Sequence, residues 1–424
     1  MQRSKFCKLV AVLRIALVVL ALVGVGSANE QEKRLYVFSG QYAEYPVSAP
    51  IFDSAGNLYG VAQSTKLDCE CLIYKLSPEA DGHWTLTTVY EIKGGLTGSL
   101  VFDASGNLYG ETVSGGALNK GSVIKLTPGS NGRWTKTDLY SFKGGNDGQR
   151  PYGNLVLDMV GNIFGITWAG GGGSGCGGYG CGTAFELSPD KNGRWTERVI
   201  YRFSGGGNDG PLPWFLALSA AGKLYGTTLR AGSGGACDGD GYLGCGTVFE
   251  LSPNSRGGWS QRTIYNFQGG PVDGQGPNSL LSVSADTLYG TTYFGCTRFY
   301  TGCAFELKRN GQGQWVETII HRFPSHAGDG GGPVGPLALD AAGNLYGATE
   351  GLYYFGAIVF ELTPSPGGDW KEVVLHAFTG SRDGNSPQAG VTLDSAGNIY
   401  GTASQGGNKT NCYFGCGLVF ELMP

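Results

Sequence analysis

The chain has 424 residues, 76 of them glycine, and a formal net charge of −4. Aromatic residues make up 12% of it, which excludes a disordered glycine-rich chain, since such chains are poor in aromatic side chains. The acidic excess excludes nucleic acid as an expected partner, because a phosphate backbone is bound through Lys and Arg. Short strands joined by many tight turns suit this mixture of glycine, aromatic and β-branched residues.

Residues 1–28 indicate an export signal, with a basic start, an apolar run at 15–25 and small residues at 26–28. The basic residues are Arg3, Lys5, Lys8 and Arg14. The apolar run is too short to span a membrane comfortably, and we expect no span in the mature chain, residues 29–424. Without the signal, 26 basic residues stand against 34 acidic ones, a formal charge of −8. We expect a secreted protein, extracellular or periplasmic, whose association with the cell surface the sequence leaves open.

One phrase recurs seven times in the mature chain: Gly, Asn or Lys, a hydrophobic residue, an aromatic residue and Gly. The aromatic residues at its centre are Tyr59, Tyr109, Phe164, Tyr225, Tyr289, Tyr346 and Tyr400. The copy at Tyr289 has a degenerate lead-in, Asp286 and Thr287. A self-similar unit of this length must bury its hydrophobic face against copies of itself, so the repetition predicts a ring or a solenoid of like units.

Each unit contains four segments of strand length, which we name strands A to D. In the third copy they are residues 154–158, 162–167, 182–187 and 195–203. Asp-x-x-Gly-Asn forms the A–B turn in five copies, and its Gly supplies the positive φ of a tight hairpin. A second Gly follows the aromatic residue inside strand B in all seven copies. Gly is unfavourable within a strand, so we expect a large neighbour to press on the backbone there.

Strand D begins with Trp in six copies, and the chain stops after the seventh strand C. Residues 35–40 match residues 139–144 and precede the first strand A, so the N-terminal segment should complete the last sheet and leave no edge strand exposed. We predict an all-β fold, a seven-bladed β-propeller of four-stranded antiparallel blades, as one domain over residues 29–424. The expected blades are residues 49–93, 98–145, 152–206, 213–269, 278–324, 335–380, and 389–424 with 34–40.

Residues 103–110, Asp-Ala-Ser-Gly-Asn-Leu-Tyr-Gly, and a later Gly-x-Val-Phe-Glu-Leu carry a family likeness. The combination resembles the bacterial tandem repeat named GloVer and, more loosely, repeats of the NHL type. The resemblance covers residues 35–424. It implies an exported or surface-displayed repeat protein without an established activity.

Beyond Cys7, ten cysteines form five local pairs, all between strands B and C. The pairs are Cys69/Cys71, Cys176/Cys181, Cys237/Cys245, Cys296/Cys303 and Cys412/Cys416. An even number in an exported chain favours disulfides that each close one loop within its own blade, although a bridge between Cys69 and Cys71 would be strained. Metal binding is the alternative, but zinc needs about four ligands and pairs on separate blades do not meet, so we expect no metal.

With strand A innermost, the long B–C loops and the D–A loops lie on one face of the propeller. Loops on a rigid scaffold are the usual place for binding, so this face is the candidate surface. Asp-Gly occurs in five D–A loops, close to the expected channel mouth, at Asp147, Asp209, Asp273, Asp329 and Asp383. One hypothesis is an acidic ring that gathers a cation or sugar hydroxyls. We favour the other, that Asp-Gly is a common turn dipeptide.

Aromatic side chains on the same face are candidates for stacking on a sugar or on a partner protein. They include Trp168, Trp214, Tyr293, Tyr353, Tyr354 and Tyr413. The alternative is that such rings pack on one another and on the disulfides as a small local core. In strand D, His321 and His376 take the place of Tyr140 and Tyr201, which indicates scaffold positions. The Glu of Phe-Glu-Leu in strand C recurs in five copies and is expected to pair with Arg or Lys across strands.

No nucleophile elbow, paired-His motif or phosphate-binding loop stands out in the sequence, so we name no catalytic residue and expect no cofactor. We predict a monomeric binding or scaffold module that contacts a glycan or an extracellular protein through its loop face. The first alternative is an extracellular polysaccharide hydrolase or lyase that uses Asp209 and Asp329 as acid and base. The second is a structural repeat protein without a ligand, with a flat face and a filled channel.

Overall fold

The computed structural model of the protein describes residues 31–40, 43–64, 70–96, 100–173, 176–206, 209–230, 237, 244–299, 301–323, 328–352 and 355–423. The expected export signal, Cys69, Tyr353 and Tyr354 lie outside these residues, so the expectations for them stay predictions. Among the described residues, no helix has the length and apolarity that crossing a membrane requires.

Seven antiparallel sheets, each with strands in the order A-B-C-D, make the seven blades of a β-propeller. The inner strands A are Ala43–Pro46 with Ile51–Phe52, Val101–Phe102, Gln149–Pro151 with Val156–Leu157, Pro213–Leu218, Gly274–Ser284, Pro333–Leu339 and Thr392–Leu393. Strands B are Leu58–Ser64, Leu108–Thr112, Ile163–Ala169, Leu224–Thr228, Thr287–Gly295, Leu345–Thr349 and Ile399–Ala403.

The outer half of each blade consists of strands C and D. Strands C are Glu70–Pro78, Ser122–Pro128, Thr183–Pro189, Thr247–Pro253, Cys303–Arg309, Ile358–Pro364 and Leu418–Met423. Strands D of blades 1 to 6 are Trp84–Lys93, Trp134–Ser141, Trp195–Arg202, Trp259–Asn266, Trp315–Arg322 and Trp370–Ala377. A short 3-10 helix, Gly145–Asp147, follows the second strand D.

The N-terminal strand Gln31–Val37 closes the ring as strand D of blade 7. It pairs antiparallel with Leu418–Met423, with Tyr36 opposite Val419, and the Phe38 N–H donates to the Gly417 carbonyl at 3.0 Å. The Phe38 ring then packs edge-on against Tyr74 of blade 1, with centroids 5.4 Å apart. The predicted closure by the chain's own two ends is confirmed, and it leaves the last blade without a free edge.

A compact hydrogen-bond network explains the repeated Asp-x-x-Gly-Asn-Leu-Tyr phrase. In blade 1, Asp53 Oδ1 accepts from the Ala55 and Asn57 backbone N–H groups, both at 2.9 Å. Its Oδ2 accepts from Asn57 Nδ2 at 2.8 Å and from the Tyr59 hydroxyl at 3.1 Å. Gly56 in the same turn has φ +80°. The carboxylate therefore ties the A–B turn to the aromatic residue of strand B, and these donors hold the pKa of Asp53 below its usual value despite the opposing effect of burial.

In six blades the Gly inside strand B lies beneath the aromatic ring of strand C, which is the large neighbour that the sequence led us to expect. A Cβ at Gly226 would be 2.3 Å from Phe249 Cζ, and one at Gly401 would be 2.3 Å from Phe420 Cζ. Gly60, Gly165, Gly290 and Gly347 show the same relation to Tyr74, Phe185, Phe305 and Phe360. The ring fills the space above the glycine, so the sequence cannot carry a side chain at both places.

Neighbouring blades are joined by the Trp that begins strand D. Trp134 of blade 2 packs on Tyr59 of blade 1, and Trp315 of blade 5 packs on Tyr225 of blade 4, with ring centroids 6.0 and 5.8 Å apart. These edge-to-face contacts extend the buried layer that separates adjacent sheets. Each repeat therefore buries its hydrophobic face against the next, which is why the units close into a ring.

The Glu of the strand C motif pairs with cations, as expected. Glu250 is held by Lys223 and Arg309, both at 3.0 Å, and Glu421 lies 3.6 Å from Lys33 of the closing strand. Glu421 also accepts from the Tyr400 hydroxyl at 2.7 Å. The recurring carboxylate is therefore part of the scaffold.

Candidate functional site

Four disulfides close the B–C loops of blades 3, 4, 5 and 7, as the sequence predicted. They join Cys176 to Cys181, Cys237 to Cys245, Cys296 to Cys303 and Cys412 to Cys416. In blade 1, Cys71 is buried and its Sγ accepts the Leu96 N–H at 3.3 Å. Cys69 lies outside the described residues, so a bridge to Cys71 stays a prediction.

The disulfides also show that the B–C and D–A loops meet on one face. A Cβ at Gly205, in a D–A loop, would be 2.3 Å from Cys181 Sγ, and one at Gly269 would be 2.4 Å from Cys237 Sγ. Gly40 has the same relation to the Cys412–Cys416 bridge. Sequence reasoning missed these glycines. Their signal, a Gly two residues after the strand D Phe, also occurs as Gly144 in blade 2, whose B–C loop has no cysteine.

The five Asp-Gly aspartates are turn residues at the outer ends of the blades. Four of them accept hydrogen bonds from residues in or just after strand D of their own blade, and the fifth, Asp329, lies beside His321 of strand D. Asp147 accepts from the Tyr140 hydroxyl at 2.6 Å and the Lys143 N–H at 2.7 Å, while Asp209 accepts from Tyr201 and twice from Ser204. The remaining three, Asp273, Asp329 and Asp383, occupy the same loop position beside Tyr265, His321 and His376.

None of these five aspartates lines the central cavity. The expectation that they stand near the channel mouth is therefore wrong. Each aspartate lies beside a residue of strand D, which is the outermost strand of its blade. This geometry favours the turn interpretation of Asp-Gly, and a role for these residues in binding stays an untested hypothesis. It also removes Asp209 and Asp329 as an acid and base pair acting in the channel.

A carboxyl from the following blade faces each of several capping aspartates. Glu197 lies beside Tyr140 and Asp147, and Glu317 beside Tyr265 and Asp273. Burial, followed by repulsion from the neighbouring aspartate, raises the pKa of both glutamates to about 7. Since the proton is retained on folding, both contribute stability at low pH that is lost as pH rises towards 7.

The central channel opens on the loop face as a cavity of about 1300 Å³. All seven blades line it with residues in or next to strand A, and blades 1, 2, 4, 5 and 6 add residues at or just after the end of strand B. Two of the predicted aromatic residues, Trp214 and Tyr293, line it. Trp168 is half-buried outside the cavity, and Tyr413, 88% exposed, lies on a loop tip where its ring contacts Phe414.

One wall of the cavity is aromatic and another is polar. Tyr152 packs against Trp214, with centroids 4.6 Å apart and planes tilted by 42°. Elsewhere in the lining, Glu350 Oε2 accepts from the Tyr293 hydroxyl at 2.5 Å and Glu350 Oε1 accepts from Gln388 Nε2 at 2.7 Å. Sequence reasoning missed Tyr152, Glu350 and Gln388, because nothing in the repeat distinguishes the residues that point towards the axis.

Other polar groups of the lining hold the blades together. Asn154 of blade 3 donates to the Leu216 carbonyl of blade 4 at 2.7 Å and accepts the Leu216 N–H at 2.9 Å. Asn278 of blade 5 donates to the Pro333 carbonyl of blade 6 at 2.6 Å. These two amides therefore join neighbouring blades. Glu350 also bridges blades, but its carboxylate has about four acceptor positions and uses two of them, so the polar cluster at Glu350 is the stronger candidate for contact with a ligand.

Solved structures with a similar fold belong to proteins of several kinds. The chain is similar to a luciferin-regenerating enzyme (13% identity, TM-score 0.45), with 93% of this chain and 95% of that one covered. It is also similar to a puromycin-hydrolyzing peptidase from Mycobacterium tuberculosis (13% identity, TM-score 0.52), with 87% of this chain and 52% of that one covered. A third similar structure is a protein of unknown function from Dyadobacter fermentans (14% identity, TM-score 0.41), with 81% of this chain and 96% of that one covered. The chain thus spans about half the length of the peptidase. At these identities the likeness concerns the fold alone.

A search of curated proteins found no match. A family model described as the Gloeobacter/Verrucomicrobia repeat matches residues 22–236 and 173–420. Those spans contain all seven copies of the phrase with which the sequence resembles GloVer. The chain therefore belongs to the Gloeobacter/Verrucomicrobia repeat family.

Proposed function

We propose that this protein is an exported glycan-binding module that holds a saccharide in the mouth of its central channel. The observation that carries the proposal is the combination, in one open cavity, of the Tyr152–Trp214 wall with the Tyr293–Glu350–Gln388 cluster. A pyranose ring has an apolar C–H face and a rim of hydroxyl groups. An aromatic wall covers the first and a carboxylate with an amide binds the second.

The size of the cavity supports a ligand of several sugar units. Small-molecule sites usually enclose about 300–1,000 Å³, and the channel mouth offers about 1300 Å³. A purely structural propeller was expected to have a filled channel and a flat face. An open cavity of this size with half-buried aromatic side chains therefore weighs against that alternative.

The distribution of carboxyl groups favours binding over hydrolysis. A glycosidase needs two carboxyls about 5–10 Å apart on either side of the bond that it cleaves. Among the described residues that line the cavity, Glu350 is the one carboxylic acid, and both its oxygens already accept hydrogen bonds from Tyr293 and Gln388. This arrangement supports a carboxylate that accepts sugar hydroxyls rather than one half of a catalytic pair.

Export is part of the proposal. The four disulfides support an oxidising compartment, and residues 1–28 have the pattern of a cleavable signal.

We expect Trp214→Ala to weaken binding of the best ligand from a glycan array at least tenfold. Removal of the indole loses a stacking contact of about 1.4 kcal/mol or more. The measurement is calorimetric titration of mature protein, residues 29–424, with that ligand. Trp168→Ala is the matched control, because this indole is also half-buried on the loop face but does not line the cavity. We expect its affinity to change less than twofold.

The two variants must first show the melting temperature of a folded propeller. Equal losses of affinity in Trp214→Ala and Trp168→Ala would contradict the channel site. An array on which the mature protein binds nothing would contradict the glycan proposal itself and favour a protein partner.

A further inference from the structure

The junctions between neighbouring strands D share one arrangement of three side chains. A ring on strand D is followed by the capping aspartate in the D–A loop, and a third residue projects from strand D of the next blade. The five sets are Tyr140–Asp147–Glu197, Tyr201–Asp209–Gln261, Tyr265–Asp273–Glu317, His321–Asp329–Glu372 and His376–Asp383–Glu32. Where the ring is Tyr, its hydroxyl donates to the aspartate at 2.6 to 3.2 Å.

The junctions that follow blades 5 and 6 differ from the other three because an imidazole, His321 or His376, replaces the phenol. At the first of them the three potential ligand atoms lie within 4.8 Å of one another. His321 Nε2 lies 3.4 Å from Glu372 Oε2, and neither His321 Nε2 nor Glu372 Oε1 has a hydrogen-bond partner although both atoms are inaccessible to solvent. The side chains of His321 and Glu372 are 15% and 12% exposed, and Asp329 is 9% exposed. Buried polar atoms of this kind are costly unless something binds them.

The two carboxyl groups of this cluster favour a bound cation. The buried His321 Nε2 has no hydrogen-bond partner and so offers a ring nitrogen to a ligand. Two carboxyls, Asp329 and Glu372, share the remaining space beside it. Either a proton held between them or a metal ion relieves their repulsion.

We propose that His321, Asp329 and Glu372 form a binding site for a divalent transition metal, of which zinc is the best fit, between blades 5 and 6. One ligand atom from each residue lies within 4.8 Å of the others. Zinc takes imidazole nitrogen and carboxylate oxygen at about 2.0–2.2 Å, which puts neighbouring ligand atoms about 3.4 Å apart in a tetrahedron. The His321 Nε2 to Glu372 Oε2 distance of 3.4 Å already has this value.

The chemistry of the ligand set distinguishes zinc from calcium. Calcium takes six to eight oxygens, whereas this cluster offers one nitrogen and two carboxylates. Three protein ligands leave a fourth zinc position for water. In the described part of the chain, one other cluster brings three potential ligand atoms this close, namely Glu44 with Cys412 and Cys416, and its cysteines form a disulfide. The site joins two outer strands and is independent of the glycan proposed for the channel.

The test is calorimetric titration of tag-free mature protein, dialysed against a chelator and then freed of it, with zinc chloride at pH 7.5. We expect one site per molecule and a melting temperature that rises by a few degrees at about a hundredfold excess of zinc over its Kd.

Two variants each remove one ligand and introduce a residue that other blades carry at the same position. His321→Tyr restores the phenol of the other junctions, and Glu372→Gln introduces the residue that stands as Gln261 in blade 4. We expect each to fold and to bind zinc at least tenfold more weakly. Glu317→Gln is the matched control at the Tyr265 junction, and its affinity should stay within twofold of wild type. Absence of saturable zinc binding by the wild type, or unchanged binding by His321→Tyr, would overturn the proposal and leave a proton as the occupant of the cluster.

Discussion

The free energy of unfolding should fall by about 4 kcal/mol between pH 4.5 and pH 9 through one residue, Glu111. This glutamate lies in strand B of blade 2 and is 1% exposed, and its Oε1 has no hydrogen-bond partner. The other copies carry Val, Ile, Thr or Ala at this place. Burial raises the pKa of Glu111 to about 8.

The direction of this pH dependence follows from which state of the protein, folded or unfolded, holds the Glu111 proton more tightly. The folded protein keeps the Glu111 proton up to about pH 8, whereas the unfolded chain loses it near pH 4.3. The contribution to stability is therefore complete below about pH 4.3 and is lost as pH rises to 8 and beyond, at about 1.4 kcal/mol per pH unit. The group carries no compensating ion pair, so the whole shift appears as lost stability.

The measurement is urea unfolding of wild type and Glu111→Gln, with disulfides intact, at several pH values from 4.5 to 9. Subtracting the two curves removes the contributions of other groups, including Glu197 and Glu317, whose effect has the same sign. We expect the variant to match the wild type at pH 4.5 and to exceed it by several kcal/mol at pH 9. Glu79→Gln, in an exposed C–D turn, should leave the profile unchanged. Parallel profiles for wild type and Glu111→Gln would mean that Glu111 is ionised at neutral pH.

Gly226→Ala should destabilise the propeller by about 3 kcal/mol through overpacking. The new Cβ would lie 2.3 Å from Phe249 Cζ and 2.7 Å from the Phe215 carbonyl oxygen. Gly226 does not have a positive φ, so the backbone accepts Ala without strain and the effect is steric. Gly110→Ala is the matched control, because its Cβ would meet the flexible ends of Leu96 and Leu100 at 3.0 and 3.2 Å, and we expect it to cost less than about 1 kcal/mol.

A double-mutant cycle isolates the pair. In blade 2 the strand C residue opposite Gly110 is Ile124, whereas Phe249 stands opposite Gly226. Phe249→Ile alone leaves a cavity, but with Gly226→Ala the new methyl occupies part of that space. We expect a favourable coupling of about 1 kcal/mol or more in denaturant unfolding. If the two changes in the free energy of unfolding were strictly additive, the explanation that Gly226 leaves space for the Phe249 ring would be wrong.

Local sequence accounts for most of the architecture. The Asp53 network shows why Asp, Gly, Asn and Tyr recur at fixed spacing. Asp accepts hydrogen bonds from Asn and Tyr, and Gly supplies the positive φ of the turn. The sequence match between residues 35–40 and 139–144 predicted the strand that closes blade 7. The Cys pairs predicted the four disulfides, because a bridge between cysteines close in sequence depends only on the conformation of the loop that contains both.

Long-range closure decided the candidate site. Tyr152, Trp214, Glu350 and Gln388 belong to blades 3, 4, 6 and 7, and they share one cavity because seven blades converge on the axis. The same is true of His321 and Glu372, which meet only where two blades touch. The sequence by itself determined the repeat, the turns, the closing strand and the bridged loops, since these depend on neighbours in the chain or on identical units. Only the tertiary structure decided which side chains meet at the axis and at the blade junctions. It also placed the Asp-Gly side chains beside strands D, because those positions depend on how all the blades are packed together.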